Sequence, residues 1–379
     1  MSLILTEEQE FLRDTAREFV QENAPVTALR ALRDSNDADG FSRELWKEMA
    51  ELGWVGAALP EDLGGAGLGF AELGIVLEEC GRTLAASPFL STSVLGASAL
   101  ELAGTESQRK ELVPEICAGD RVLALAFQES GRFRPLECAT VAESAGDGFR
   151  LSGEKIFVLD GHVADTLIVT ARSAGTSSEP EGLSLFLVDP KAAGIEITRS
   201  QMVDSRNAAR VRLDGVVVDR SAALGKIGAG AATLESVLDR AAICLSAEML
   251  GSIQEAFERT LQYLKDRQQF GQPIGSFQAL KHRAAFLFCE VELSKSIVLD
   301  ALHAIDEGRP DLSLLASACK ARCSDTFVLA ANEGVQMFGG IGMTDEEEIG
   351  LFLKRAKVAA HSFGDGSYHR DRFATLSGY

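Results

Sequence analysis

Basic residues are scarce in this chain. Lysine and arginine total 37 against 56 aspartates and glutamates, a formal net charge of −19. A general nucleic-acid or membrane-surface role calls for a basic face, so the balance argues against both. A small anion can still bind, but only at a local cluster of arginine, lysine or helix N-termini. Long apolar runs are missing too: no stretch approaches roughly 18 uninterrupted apolar residues, so no membrane span is expected. The opening residues, MSLILTEEQEF, carry neither a basic region nor a long apolar segment. No secretory signal is expected, and the cytoplasm is the default location. The seven cysteines include no CxxC pair. Cys319 and Cys323 share a helix face, but no histidine stands near them. Buried small apolar residues in a reducing compartment are expected, and no metal site. His162, His282, His303, His361 and His369 show no metal spacing with carboxylates, and a surface or capping role is expected for each. The glycine-rich run from Leu59 to Gly69 is not GxGxxG and no strand-turn-helix unit surrounds it, so it reads as a plain loop.

What is present points to a globular protein. At 379 residues the chain is long enough for two or three domains, and 46% hydrophobic with 25% charged residues is ordinary for a soluble protein. Thr6-Glu7-Glu8-Gln9 is a capping box, followed by Phe11, Leu12, Ala16 and Phe19 on one face. Ser42–Leu52 and Phe70–Cys80 repeat the helical period. The character changes near residue 121. Short β-branched or alternating runs begin at Val122, Phe149, Lys155, Thr166, Leu183 and Ala209, separated by Gly, Asp and Ser. Strands in succession, without helices between them, argue against a dinucleotide-binding βαβ unit. Helical periodicity returns over 231–265, 277–305, 313–337 and 346–361, which suggests a four-helix bundle. The reading is an α+β protein: an N-terminal helical domain (1–120), a middle antiparallel β-domain (121–228) and a C-terminal bundle (229–379).

One segment, DRQQFGQPIGSFQ at 266–278, interrupts two helices with an arginine, two phenylalanines and breaker residues. With three further signatures it resembles the acyl-CoA dehydrogenase superfamily of flavoproteins along essentially the whole chain. Pro60-Glu61-Asp62-Leu63-Gly64-Gly65 is similar to the family's PExxGG loop, and Leu151-Ser152-Gly153-Glu154-Lys155 to its LxGxK. Arg267-Gln268-Gln269-Phe270-Gly271 with Phe277-Gln278 resembles RxxFG…FQ, and Gln336-Met337-Phe338-Gly339-Gly340 resembles QxFGG. The resemblance implies that the Arg267 segment binds the FAD of a neighbouring subunit. An arginine fork suits a pyrophosphate. Phe270 offers an apolar wall, and Gln278 and Gln336 offer hydrogen bonds. Phe338 lies in the same segment. Gly339 and Gly340 let backbone approach a phosphate or ribose closely, unless they are a helix stop. A tetramer follows from the resemblance, either homomeric or built with a related subunit.

The activity implied is FAD-dependent α,β-desaturation of an acyl-CoA thioester, a carboxylate removing the α-proton while flavin N5 takes the β-hydride, with electron-transfer flavoprotein as the expected acceptor. The family's glutamate base sits in a Y-E-G-T-like segment, here His361-Ser362-Phe363-Gly364-Asp365-Gly366-Ser367. Two alignments compete. One puts Gly364 at the glutamate position and leaves no base. The other makes Asp365 the base, with a turn residue as its plainer role. A base on an earlier helix would fall at Ala241, with Asp239 two residues before it, while Glu248 reads as a helix-face pair. The flavin-contacting loop is represented by Gln128-Glu129-Ser130-Gly131-Arg132, where Gln128 replaces a threonine. Phe157-Val158-Leu159 replaces W-I-T, so Phe157 can cover the flavin while Leu159 supplies no hydroxyl. These departures open two alternatives. One is a non-catalytic or half-site subunit of a heteromeric dehydrogenase. The other is a nitroalkane-oxidase-like enzyme with an aspartate base.

Overall fold

The structure is a computed structural model and describes residues 4–379. Helices open the chain: α1 (Glu7–Asn23), α2 (Val26–Ser35), α3 (Arg43–Glu51), α4 (Phe70–Arg82), α5 (Ala97–Ala103) and α6 (Glu106–Cys117). Strands follow: β1 (Leu123–Ala126), β2 (Val141–Ala145), β3 (Gly148–Leu159), β4 (Thr166–Arg172), β5 (Leu183–Val188), β6 (Ile195–Gln201), β7 (Asn207–Asp219) and β8 (Ala223–Leu224). The chain then returns to helix with α7 (Ala231–Asp266), the small hairpin β9 (Gln268–Gln269) and β10 (Gln272–Pro273), α8 (Gln278–Asp306), α9 (Leu312–Phe338), α10 (Ile349–His361) and α11 (Gly366–Leu376). Helical start, mostly antiparallel middle and helical end are the α+β order that the sequence predicts. Among the described residues no helix is long and apolar enough to cross a membrane.

The chain contacts divide into two compact units. One holds residues up to 35 with 70–86 and 242–379; the other holds 36–69 and 87–241. In the first unit the Thr6 capping box forms as written: the Gln9 N–H donates to the Thr6 hydroxyl at 3.2 Å and the Thr6 N–H to the Gln9 side chain at 3.1 Å. Helices α8, α10 and α11 all pack on α9. Helices α4 and α7 cross at backbone contact. A Cβ on Gly251 would lie 1.7 Å from the Glu78 carbonyl oxygen, so only glycine permits this crossing. A buried pair ties α7 to α10, the Glu248 carboxylate accepting from Arg355 Nε at 2.9 Å.

In the second unit the sheet runs β6-β7-β3-β2-β4-β5-β8, with β1 parallel to β4. The Phe149 and Lys155 runs, read as separate strands, are one strand, β3. It stays continuous through register shifts between Leu151 and Gly153 and between Lys155 and Val158. Its inward side chains, with those of β4, β5 and β7, build a core around Leu151, Val169, Phe186 and Val211. The segment Phe89–Gly96 is a buried π-helical stretch.

Candidate functional site

Helix α7 ends where the Arg267 N–H donates to the Tyr263 carbonyl at 2.8 Å. The hairpin β9–β10 follows, with Phe270 and Gly271 at its tip at φ 54° and 80°. A two-residue turn with both φ positive matches strand twist, but that place usually carries Asn or Gly because a Cβ is crowded there. Here a phenylalanine takes it and is 89% exposed, touching Phe277 edge-on at 5.9 Å. Among the described residues, nothing beyond that edge contact accounts for a bare aromatic ring in a costly backbone conformation. The Arg267 side chain is also exposed, and among the described residues it has no ion-pair partner.

Tyr263 joins this hairpin to the second glycine motif, about 70 residues on. Its ring stacks on Phe338 at 4.2 Å and 15°, and its hydroxyl donates to the Phe338 carbonyl at 3.2 Å. Phe338 is thus buried under Tyr263. Gly339, at φ 70° and ψ −143°, occupies backbone space that only glycine enters readily, and it ends α9. It is therefore the helix stop. Neither glycine has a described atom beyond its chain neighbours within 4 Å of a built Cβ, but Gly340 differs in lacking a positive φ, so its backbone does not demand glycine. Gln336 and Gln278 are both exposed. The loop beyond Gly340 is pinned twice. Asp345 meets Arg33 at 2.7 Å, which holds its carboxyl down at about 2, and Glu348 meets Arg259 at 2.6 Å.

In the β-unit, Gln128 and Phe157 come together. The Ile156 N–H donates to the Gln128 carbonyl at 2.8 Å, and the Gln128 amide folds back to the Ser130 carbonyl at 2.9 Å. Phe157 stands at the β3 register shift with φ 52° and is 51% exposed, a second aromatic held out under backbone strain. Next to Gln128 lies a residue to which the sequence reading gave no role. Glu129 accepts from Lys155 Nζ at 2.6 Å, from the Thr140 hydroxyl at 2.6 Å and from the Ala139 N–H at 2.5 Å. Burial opposes its charge, but the Lys155 ammonium and these hydrogen bonds prevail and hold its pKa down at about 2. Lys155 is fully buried and also donates to the Thr170 hydroxyl at 2.9 Å. The pair ties the Gln128 loop to the sheet. Strand alternation carried the signal, since Lys155 falls on the inward face with Phe149 and Leu151.

The segment after α10 makes a tight bend. Phe363 is buried at φ 57°, and Gly364 follows at φ 98°. Asp365 is exposed and caps α11, accepting from the Tyr368 N–H at 2.8 Å. That capping bond accounts for an acidic residue here without any chemistry. Asp365 borders a surface groove of about 440 Å³ that also takes in Asn332, Lys357, His361 and Arg370. His361 is exposed, whereas His369, for which a surface or capping role is the sequence expectation, is 2% exposed and so not at the surface. A histidine ring in α11 facing α9 has no water to reach, and its Nε2 instead meets the Phe363 carbonyl at 2.9 Å. Burial, then the neighbouring Lys320, pushes its pKa down to about 4, so the ring is neutral and Nε2–H donates. Lys320 is also fully buried, a position predictable from Ala316, Cys319, Cys323 and Phe327 on one helical stripe. Of the earlier-helix candidates, Ala241 and Asp239 are buried and Glu248 is committed to Arg355. Cys289 is exposed; the other cysteines are buried.

Comparison with known proteins shows the family to which this fold belongs. The chain matches "Acyl-CoA dehydrogenase, N-terminal domain" over residues 6–120, "middle domain" over 129–216 and "C-terminal domain" over 228–375. It is 30% identical to Acyl-CoA dehydrogenase IpdE2 of Mycobacterium tuberculosis, covering 93% of this chain and 92% of that one. Among solved structures it resembles a variant of the Tcur3481-Tcur3483 steroid ACAD, at 33% identity and TM-score 0.87 over 98% of both chains. It also resembles the ChsE4-ChsE5 complex from Mycobacterium tuberculosis, at 26% identity and TM-score 0.89 over 100% of both chains. With three domain matches in order and relatives aligned end to end, the chain belongs to the acyl-CoA dehydrogenase family of flavin-dependent oxidoreductases.

Proposed function

We propose that this protein takes part in FAD-dependent α,β-dehydrogenation of an acyl-CoA thioester as a tetramer, with Arg267 holding the FAD diphosphate of a neighbouring protomer. The observation that carries this reading is the hairpin tip. A guanidinium with no ion-pair partner among the described residues and a bare, strained Phe270 share this hairpin, and Tyr263 links its root to the Gly339-Gly340 turn, where beyond the chain neighbours no described atom lies within 4 Å of a Cβ built on Gly340. These groups suit a dinucleotide. A guanidinium fork grips a diphosphate with paired charge-assisted bonds. Phe270 presents an apolar face, Gln278 and Gln336 present amides, and Gly340 leaves room for close approach; in the β-unit, Phe157 presents an exposed ring of its own. A bound FAD would supply the two-electron acceptor that no side chain provides. The chain's own part is to exclude water, orient the thioester and remove a weakly acidic proton. Asp365 is the carboxylate at hand for that last task, and it borders the groove.

The test begins with the visible spectrum of the purified protein, followed by a panel of acyl-CoA thioesters. Flavin that bleaches with one of them supports the reading; a colourless tetramer that refuses added FAD overturns it. Arg267→Ala should weaken flavin binding roughly tenfold to a hundredfold, the effect of about 1.5–3 kcal/mol for a hydrogen bond to a charged group. Asp365→Asn keeps a capping residue and removes the base, so it should abolish turnover and leave helix stability unchanged.

A second reading has its own support. Asp365 is spent on a cap, and Gly364 has no side chain, so the base can belong to a different chain. Two of the similar solved structures carry paired names, Tcur3481-Tcur3483 and ChsE4-ChsE5. In this reading the protein is a half-site subunit lending Arg267 and Gln336 to a related partner. A homotetramer with about one FAD per chain that turns over acyl-CoA would eliminate it.

A further inference from the structure

Two buried side chains reach the bend between α10 and α11 from beneath. Lys320 Nζ donates to the Gly364 carbonyl at 2.9 Å, the Ala360 carbonyl at 3.1 Å and the Ser324 hydroxyl at 3.0 Å. His369 Nε2–H donates to the Phe363 carbonyl at 2.9 Å. Three successive parts of one bend are thereby fixed: the last turn of α10, the left-handed Phe363 and the Gly364 that follows it. The bend needs such fixing. A phenylalanine at positive φ costs roughly as much as one hydrogen bond provides, and it persists only where its surroundings over-determine it. Neither donor is at the surface, with Lys320 at 0% and His369 at 2% exposure.

We propose that Lys320 and His369 are positioning residues: together they clamp the 362–366 bend from the interior of the bundle and so fix where Asp365 and the groove wall stand. This rests on the reading that the groove beside Asp365 serves the reaction. The chemistry of the donors supports a clamp over simple filling. An ammonium has three N–H groups, and three acceptors surround this one. Two of them are carbonyls at or just past a helix C-terminus, where a cation is favoured. Apolar side chains would fill the space at lower desolvation cost but would leave those carbonyls unpaired.

The charge state of the clamp is adjustable. Burial brings the Lys320 pKa down to about 7, against the pull of Cys323, Asp365 and Cys319, with Arg355 adding to the lowering. The groups facing it are Cys319 and Cys323 on α9, Arg355 on α10, Asp365 at the cap of α11 and His369 within it; from α7, Glu248 neutralises Arg355 and Ser246 meets Cys323. A neutral amine has one donor fewer, so the grip loosens as pH rises through this range.

Amide hydrogen exchange at residues 362–366, read in the assembled protein, tests the clamp without needing turnover. Lys320→Met keeps an apolar stem and removes every donor; His369→Leu removes the other. His369→Leu should speed exchange at the bend roughly tenfold, in line with one lost hydrogen bond, Lys320→Met at least as much because it loses two bonds to the bend, and both should leave the middle of α9 protected. His369→Gln, which still presents an N–H near the Nε2 position, should restore slow exchange. Where acyl-CoA turnover is present, Lys320→Met should lower kcat more than it raises KM and remove an inflection near pH 7. Unchanged exchange in folded Lys320→Met and His369→Leu would overturn the proposal. Should Lys320→Met fail to fold, the His369→Leu and His369→Gln pair decides alone. A protein with an intact clamp but no response to any acyl-CoA would refute the reaction and spare the clamp.

Discussion

Each of the two units buries one lysine completely, and they solve the same problem in opposite ways. Lys155 in the β-unit meets a carboxylate, Glu129, at 2.6 Å. Lys320 in the helical unit meets two carbonyls and a hydroxyl. The first arrangement sets charge against charge: Glu129 is held down at about 2 and stays ionised above that, tying the loop at Gln128 to the sheet. The second gives the ammonium no carboxylate in direct contact, only dipoles as hydrogen-bond partners. Its charge is then contested by burial, and its pKa falls to about 7. Both lysines hold a loop that carries candidate site residues. One hold is permanent and the other depends on protonation.

The largest effect should come from breaking the charged pair. Glu129→Ala strands the Lys155 ammonium in the sheet and should cost about 3–5 kcal/mol in denaturant unfolding, while replacing both partners with apolar residues should recover most of it. The wild-type pair also sets an acid limit. With Glu129 held down at about 2, its contribution is whole above the ordinary carboxylate range near 4.5 and is lost as pH falls toward 2.

Lys320→Met should cost less, about 1–3 kcal/mol, because it leaves neutral acceptors unpaired and strands no charge. Its signature lies at alkaline pH. The folded-state pKa near 7 lies below the ordinary 10.5, so the unfolded chain binds more protons between those values. Wild-type stability should therefore rise from pH 7 toward pH 10.5, and the variant should lack that rise. Parallel stability curves would erase the distinction between the two lysines.

A smaller effect extends the contrast to backbone. Gly339→Ala, in a conformation hostile to any Cβ, should cost about 1–2 kcal/mol. Gly340→Ala should stay within about 0.5 kcal/mol in the isolated chain, since nothing there meets the added methyl. If flavin affinity or assembly then drops, the space at Gly340 is reserved for something outside the chain.

Long periodic stretches were legible before any coordinates. The helices predicted at 231–265, 277–305 and 313–337 are α7, α8 and α9 to within a residue. What escaped were elements with weak patterns. β2 and β6 are mostly exposed strands with little apolar alternation, and α11 begins in polar residues after two glycines. At the site, exposed motif residues such as Arg267 could be picked out because nothing in helix packing requires them. Glu129 could not be ranked in the same way, and for Lys320 the helical stripe signals burial but not the partners it meets. Burial of a charge is decided by tertiary partners, and no local pattern announces that Glu129 will find Lys155 across 26 residues.

Phe270 has one more consequence. Its turn is already set in the free protomer, at φ 54°, so a partner that covers it has no loop to reorganise. Docking on a preformed shape gives up little entropy. In the proposed tetramer, how fast protomers meet would be governed by diffusion and long-range charge, while the ring would act on how long they stay together. Trimming Phe270 should leave the speed of assembly almost untouched and shorten the lifetime of the complex.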